Sequence, residues 1–166
     1  MQPPDKAKPV IRPFRMADID RVYDIECRSF PYPWHRFMFR RLHYRDPQGF
    51  LVAERNAEVI GYGIAEIVKR AGLLRSGPKR RGHLLNLAVD PRFRRQGVGN
   101  ALVKALILYL RERGVDGVWL EVRVSNSIAR IFYSKFGFKE VDRKILYYWN
   151  EDAVVMNLNL QKGYST

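Results

Sequence analysis

The stretch RFRRQGVGNA, Arg92 to Ala101, places three arginines and two glycines directly before a densely apolar run. A strand-like segment, GHLLNLAVD (82–90), precedes it and ends at Asp90-Pro91. A glycine turn that opens a helix aims backbone N–H groups at whatever lies in front of it, and the helix dipole favours an anion there. Glycine also lets a ligand approach the backbone closely. With Arg94 and Arg95 adding charge, the segment has the chemistry to hold a pyrophosphate. The same residues would equally make a plain helix N-terminus with solvated arginines, and residue type alone does not separate the two.

Two phosphate-binding patterns are excluded. A Walker A loop needs Lys and then Ser or Thr after its second glycine, and Asn100-Ala101 follow Gly99 here. In the dinucleotide fingerprint a third glycine would fall where Leu102 stands.

The surrounding elements follow from periodicity. Val10–Phe14 reads as a first strand, and Ile19, Val22 and Tyr23 mark a helix that Asp18 is placed to cap. Pro31 and Pro33 interrupt the chain before a basic, aromatic second helix. Segments 50–54 and 58–70 form a hairpin, 82–90 a strand, and 97–113 the strongest helix. In 117–125, Leu120, Val122 and Val124 face one way and Glu121 and Arg123 the other. A short helix over 126–137 ends at Gly137, and strands follow at 138–142 and 152–160. The order is βααβββαβαββ, an α/β layered domain. Residues 68–82 carry six basic residues and no acidic one, with Gly and Pro breakers, and read as a flexible connection between strands.

The chain's 166 residues suit one domain, expected over 9–162 behind a loose tail at 1–8. A net charge of +13 points to anionic neighbours: a phosphorylated cofactor, acidic substrates or RNA-rich surroundings. A merely soluble basic surface would also account for it. The single cysteine, Cys27, closes no intrachain disulfide, and three scattered histidines supply no metal spacing. The polar start is no signal peptide, and no apolar run reaches membrane-spanning length, so a cytoplasmic protein is expected.

Arg94-x-x-Gly97-x-Gly99 after a strand resembles motif A of the Gcn5-related N-acetyltransferase (GNAT) superfamily. NSIARIFYSKFGF (126–138) resembles its motif B, and the element order is similar from Val10 to Leu160. The resemblance implies a GNAT fold, a single-layer mixed central sheet with helices on both faces. It also implies acetyl-CoA as donor, with the pyrophosphate on the backbone of Arg94, Arg95, Gln96, Gly97, Val98, Gly99 and Asn100. The pantetheine arm would lie along Leu87, Ala88 and Val89, where that strand is expected to part from its neighbour, and near Asn126 and Tyr133. Asn126 also reads as the N-cap of its helix.

SFPYPW (29–34), LEVRVSN (120–126) and YYWNEDAVVMNLNL (147–160) look like the N-terminal protein acetyltransferases, bacterial ribosomal-protein alanine enzymes and archaeal enzymes among them. That likeness implies a protein or peptide N-terminus as acceptor, held by Phe30, Pro31, Tyr32, Tyr147 and Tyr148. Each of these aromatics could instead be plain packing. It also implies Glu121 as base, Tyr133 as the acid that protonates the departing thiolate, and His83 as a residue ordering a water. Against these stand a solvated Glu121 or one paired with Arg123, a core Tyr133 with its hydroxyl bonded, and a His83 facing solvent. A free α-amine titrates at about 7.7–8.0, so a weak base suffices. His35, His43 and Cys27 receive no role. Two rivals stand beside this reading: acetylation of lysine side chains or a small amine, and a basic ribosome- or RNA-associated module using 68–82 and Arg40-Arg41.

Overall fold

The computed structural model describes residues 8–70 and 79–160. The strands are β1 (Val10–Pro13), β2 (Phe50–Arg55), β3 (Glu58–Arg70), β4 (Lys79–Val89), β5 (Gly117–Arg123), β6 (Lys139–Lys144) and β7 (Ala153–Asn159). The helices are α1 (Ile19–Ser29), α2 (Arg36–Arg45), α3 (Val98–Glu112) and α4 (Ser127–Ser134). Their order is the expected βααβββαβαββ. The strands form one mixed seven-stranded sheet, β1-β2-β3-β4-β5-β7-β6. The tail at 1–7 and the centre of the basic connection, 71–78, lie outside the described residues. The expected connection is shorter at both ends, because β3 runs to Arg70 and β4 already begins at Lys79.

The chain divides into two compact units, and β3 and β4 run through both. The first comprises the chain up to Ala65 together with Asn86–Tyr109. Here β2 and β3 are joined by Asn56-Ala57, both with positive φ (50° and 60°), the two-residue turn that matches hairpin twist. Alternate residues of β3 then serve opposite faces. Gly61 and Gly63 face α3: a Cβ on Gly63 would come 2.8 Å from Leu106 Cδ1, so a larger residue there would have to push that side chain aside. Tyr62 faces α1 and α2, edge-on to Phe39 at 5.6 Å, while Phe14 stacks on Phe50 at 4.1 Å. On α1, Ile19, Val22, Ile25 and Glu26 are buried at helical spacing.

Asp18 precedes α1, but its side chain caps nothing there. It instead accepts from both ends of the Arg12 guanidinium (2.7 and 2.9 Å) and from the Arg15 N–H at 2.7 Å. A bidentate arginine outcompetes a single capping bond.

The second unit comprises Glu66–Leu85 and the chain from Leu110 onward. β5 pairs with antiparallel β7 over its whole length, Gly117↔Asn159 to Arg123↔Ala153. Val118, Leu120 and Val122 are buried against Met156 and Leu158, and Trp119, Glu121 and Arg123 take the other face. Val124 lies beyond the strand. The parallel register of β4 with β5 has three rungs, Arg81↔Gly117, Gly82↔Val118 and His83↔Trp119. Beyond His83 the two strands make no further rung among the described residues, the parting expected of this strand. Asn126 caps α4, its side chain accepting the Ala129 N–H at 3.0 Å.

Candidate active site

In the second unit the polar face of β5 carries a compact charged cluster. The Glu121 side chain is 5% exposed and holds three donors. His83 Nε2 lies 2.6 Å from Oε2, Lys144 Nζ 2.5 Å from Oε1, and Trp119 Nε1 3.3 Å from Oε1. Burial works against its charge, but the hydrogen bonds from His83 and Lys144 and the Lys144 ammonium prevail and hold its pKa near 2. Glu121 is thus neither solvated nor paired with Arg123, which bonds Glu151 at 3.2 Å. His83 does not face solvent either: its side chain is 15% exposed and its ring stacks on Trp119 at 4.4 Å, 9° from parallel. Its other nitrogen, Nδ1, is 3.6 Å from Glu66 Oε1, too long for a hydrogen bond.

The loop between β6 and β7 closes over this strand. The Tyr148 hydroxyl donates to the Glu121 carbonyl at 3.0 Å, and burial and the adjacent Tyr147 push its pKa up to about 12. Tyr147 meets Tyr148 edge-on at 5.0 Å and carries Lys144 Nζ 4.9 Å from its ring centroid. Tyr133 is half-buried on α4, with Phe132 and Phe138 against its ring. Its hydroxyl makes no hydrogen bond among the described residues, and burial and Tyr148 hold its pKa well above the ordinary value.

In the first unit the glycine turn has the shape of an anion cradle. Arg95 and Gly97 both take positive φ (63° and 80°), and a Cβ on Gly97 would meet nothing within 4 Å. Ala101 is the first α3 amide to bond back, to the Gly97 carbonyl at 3.0 Å, which leaves the amides of Val98, Gly99 and Asn100 as the helix's orphan donors. The turn therefore fits a diphosphate.

The three arginines divide the labour. Arg92 is a staple, binding buried Asp90 at 2.9 Å and Glu58 at 2.8 Å. Arg21 also reaches Asp90 and Glu58. Burial opposes the charge of Asp90, but these arginines hold its carboxyl well below the usual range. Arg94 folds back, donating to the Val89 carbonyl at 3.1 Å and to Ser29 Oγ at 3.3 Å. Gln96 accepts from Arg55 at 2.7 Å. Of the three, Arg95 alone keeps an exposed guanidinium with no partner among the described residues. On β4, Ala88 is buried, and the Leu87 N–H is held at 2.9 Å by the side-chain oxygen of Asn86.

Phe30, Pro31 and Tyr32 form the turn after α1, with Phe30 half-buried and Tyr32 70% exposed. They belong to the first unit, and Tyr147 and Tyr148 to the second. Sequence reasoning missed Lys144 and Trp119 as partners of Glu121, the Asp90 staple, and Glu26. The Glu26 carboxylate is buried with no cation beside it among the described residues, accepting from Tyr62 OH, from the Trp34 N–H at 2.9 Å and from Asn86 Nδ2 at 3.3 Å. Burial raises its pKa. A glutamate on the apolar stripe of α1 was the available signal.

Residues 19–138 match the acetyltransferase (GNAT) family. This chain belongs to that family. It is 38% identical over 152 residues to an N-alpha-acetyltransferase of Sulfurisphaera tokodaii, covering 88% of this chain and 90% of that one. It is 34% identical over 146 residues to the ribosomal protein bS18-alanine N-acetyltransferase of Escherichia coli, covering 86% and 91%. Among solved structures it resembles Ard1 from Thermoplasma volcanium, with a TM-score of 0.82 at 31% identity, covering 94% of this chain and all of that one. The GNAT membership makes the chain an acetyltransferase, and acetyl-CoA is its donor. The glycine turn on α3 is the part of the structure that fits the donor's pyrophosphate.

Proposed function

We propose that this acetyltransferase moves the acetyl group of acetyl-CoA to the free α-amine of a protein N-terminus, in the cytoplasm, with ribosomal proteins as the first acceptors to test. The observation that carries the reading is the His83–Glu121 pair beside Tyr147 and Tyr148. It supplies a base and an aromatic wall, and the reaction asks for little else.

The transfer needs one proton removed and one supplied. The amine nitrogen attacks the thioester carbonyl carbon, a C–N bond forms and the C–S bond breaks. Glu121, ionised down to pH about 2, is a weak base at neutral pH. Its service is to accept from His83 Nε2, which orients the ring and leaves Nδ1 as the site that takes the amine proton, directly or through a water. Tyr133, its hydroxyl without a hydrogen bond among the described residues and held protonated, is the group that returns a proton to the departing thiolate. Asn126 secures the helix that carries it. The Leu87–Val89 strand, unpaired by β5, offers backbone groups to the pantetheine amides. Phe30, Pro31, Tyr32, Tyr147 and Tyr148 are assigned to the acceptor backbone and first side chain.

The test is acetyl transfer followed by mass spectrometry. Peptides starting Ala, Ser, Met or Met-Leu are offered with free or blocked termini and an internal lysine. Acetyl on the free terminus alone is the expected result. Acetyl on lysine in blocked peptides would replace this reading with a side-chain acetyltransferase.

A further inference from the structure

The outer face of α2 is unexplained by the transfer reaction. Phe39 and Leu42 are buried, and His43 lies against Phe14 at 5.2 Å, so these three define the inward stripe. Phe37, Arg40, Arg41 and Tyr44 stand three and four residues apart on the opposite side. All four are exposed, Phe37 by 66% and Tyr44 by 75%. Large aromatics are costly to leave in water, and two at a spacing of two turns, about 10 Å apart along the axis, are no accident of a solvated face. Between them Arg40 and Arg41 make no hydrogen bond or ion pair among the described residues. The helix contains no acidic residue. The neighbouring acids are engaged elsewhere: Asp20 pairs Arg36 at 3.1 Å, and Asp46 accepts from Tyr109 and from the Gly49 N–H.

We propose that this face of α2 binds single-stranded RNA. Unpaired arginines flanked by exposed rings match a phosphate backbone with splayed bases: the guanidiniums take phosphates and each ring stacks a base. An acidic protein would use the charge but leave Phe37 and Tyr44 without a purpose. RNA rather than DNA rests on the reading above, since a ribosomal acceptor is presented beside RNA.

The test uses the full chain and a fluorescein-labelled twelve-nucleotide RNA of mixed sequence, titrated by anisotropy between 50 and 200 mM KCl. Parallel arms use the same sequence as DNA and a poly-glutamate peptide. Removing two phosphate contacts in Arg40→Gln/Arg41→Gln is expected to flatten the slope of log K against log salt by about 1.4. Phe37→Ala/Tyr44→Ala is expected to weaken binding at least about fivefold with the slope unchanged. A charge-matched control, Lys104→Gln/Lys135→Gln, removes two exposed lysines, one on α3 and one just after α4, and should leave affinity near the parent's. The proposal is overturned if that control loses as much as the α2 arginine variant, if the aromatic variant binds like the parent, or if poly-glutamate or DNA binds as tightly as RNA. Peptide acetylation by each variant is measured separately. RNA binding without peptide transfer would sink the acceptor reading and leave the surface standing, and transfer without RNA binding the reverse.

Discussion

Glu26 accepts from Asn86 Nδ2 at 3.3 Å while Asn86 Oδ1 accepts the Leu87 N–H at 2.9 Å. The two bonds leave the Asn86 amide one orientation. Glu26 also receives the Trp34 N–H from the start of the second helical region. One buried carboxylate thus ties the turn at Phe30–Pro33 to the strand amides expected to meet the donor.

Replacing Asn86 by Asp turns an attractive contact into two facing carboxyl oxygens. Asn86→Asp should destabilise the protein by about 1–3 kcal/mol at pH 7. The Glu26 pKa already lies above its ordinary value, so protonation relieves the clash early as pH falls. The gap in Tm between variant and parent should therefore shrink from pH 7 to pH 5. A constant gap would mean that Asn86 acts by shape alone.

His83 and Glu121 should separate kinetically. His83→Gln removes the base and should lower kcat by about 10²–10⁴. What remains should rise with pH as the α-amine itself deprotonates. Glu121→Gln keeps the ring but loosens its orientation, and its loss should be smaller. Rate profiles from pH 6 to 9 for both variants make the comparison. Equal losses with equal profiles would return the base role to Glu121.

The same glutamate predicts an acid limit. Its pKa falls from an ordinary 4.5 to about 2 in the fold. A depressed carboxyl contributes stability that is fully present above pH 4.5 and is lost as pH falls toward 2. The shift corresponds to about 3 kcal/mol. Denaturant unfolding at pH 6 and pH 3 should show the parent losing more stability than Glu121→Gln. Parallel losses in the two proteins would show that the ion pair adds nothing.

Tyr133→Phe should leave Tm within about one degree, because the hydroxyl it removes makes no hydrogen bond among the described residues. Turnover should nonetheless fall, since the leaving thiolate loses its proton donor. A large fall in Tm would instead mark the hydroxyl as structural.

Arg92 and Arg95 sit three residues apart and should behave differently. Arg92→Ala breaks the staple to buried Asp90, and the loss should appear in stability. Arg95→Ala should raise KM for acetyl-CoA, more at low salt than at high, with Tm unchanged. Steady-state kinetics at two ionic strengths beside thermal melts distinguish them.

Much of this was legible in the chain. Strand and helix order came through because β5 alternates cleanly, and α1 and α3 carry apolar stripes. The glycine turn was legible because Gly97 and Gly99 sit just where a strand meets a helix. The division of labour among Arg92, Arg94 and Arg95 was not, since it depends on Asp90, Glu58 and Ser29, brought near only by folding. The same holds for Glu121, whose donors His83 and Lys144 lie 38 and 23 residues away. Asp18 misled because a capping residue type says nothing of a competing arginine. The ends of β3 and β4 misled because basic residues and a glycine resemble a loop, yet the strands run on to Arg70 and begin at Lys79.

Trp119 lies flat on the His83 ring. Stacked indole emission is quenched when the imidazole gains a proton, so the protein carries its own optical gauge of the base. The difference in fluorescence between the parent and Trp119→Phe, followed through a titration, removes the background of Trp34 and Trp149. It would read the charge on one imidazole directly, with no substrate in the cuvette.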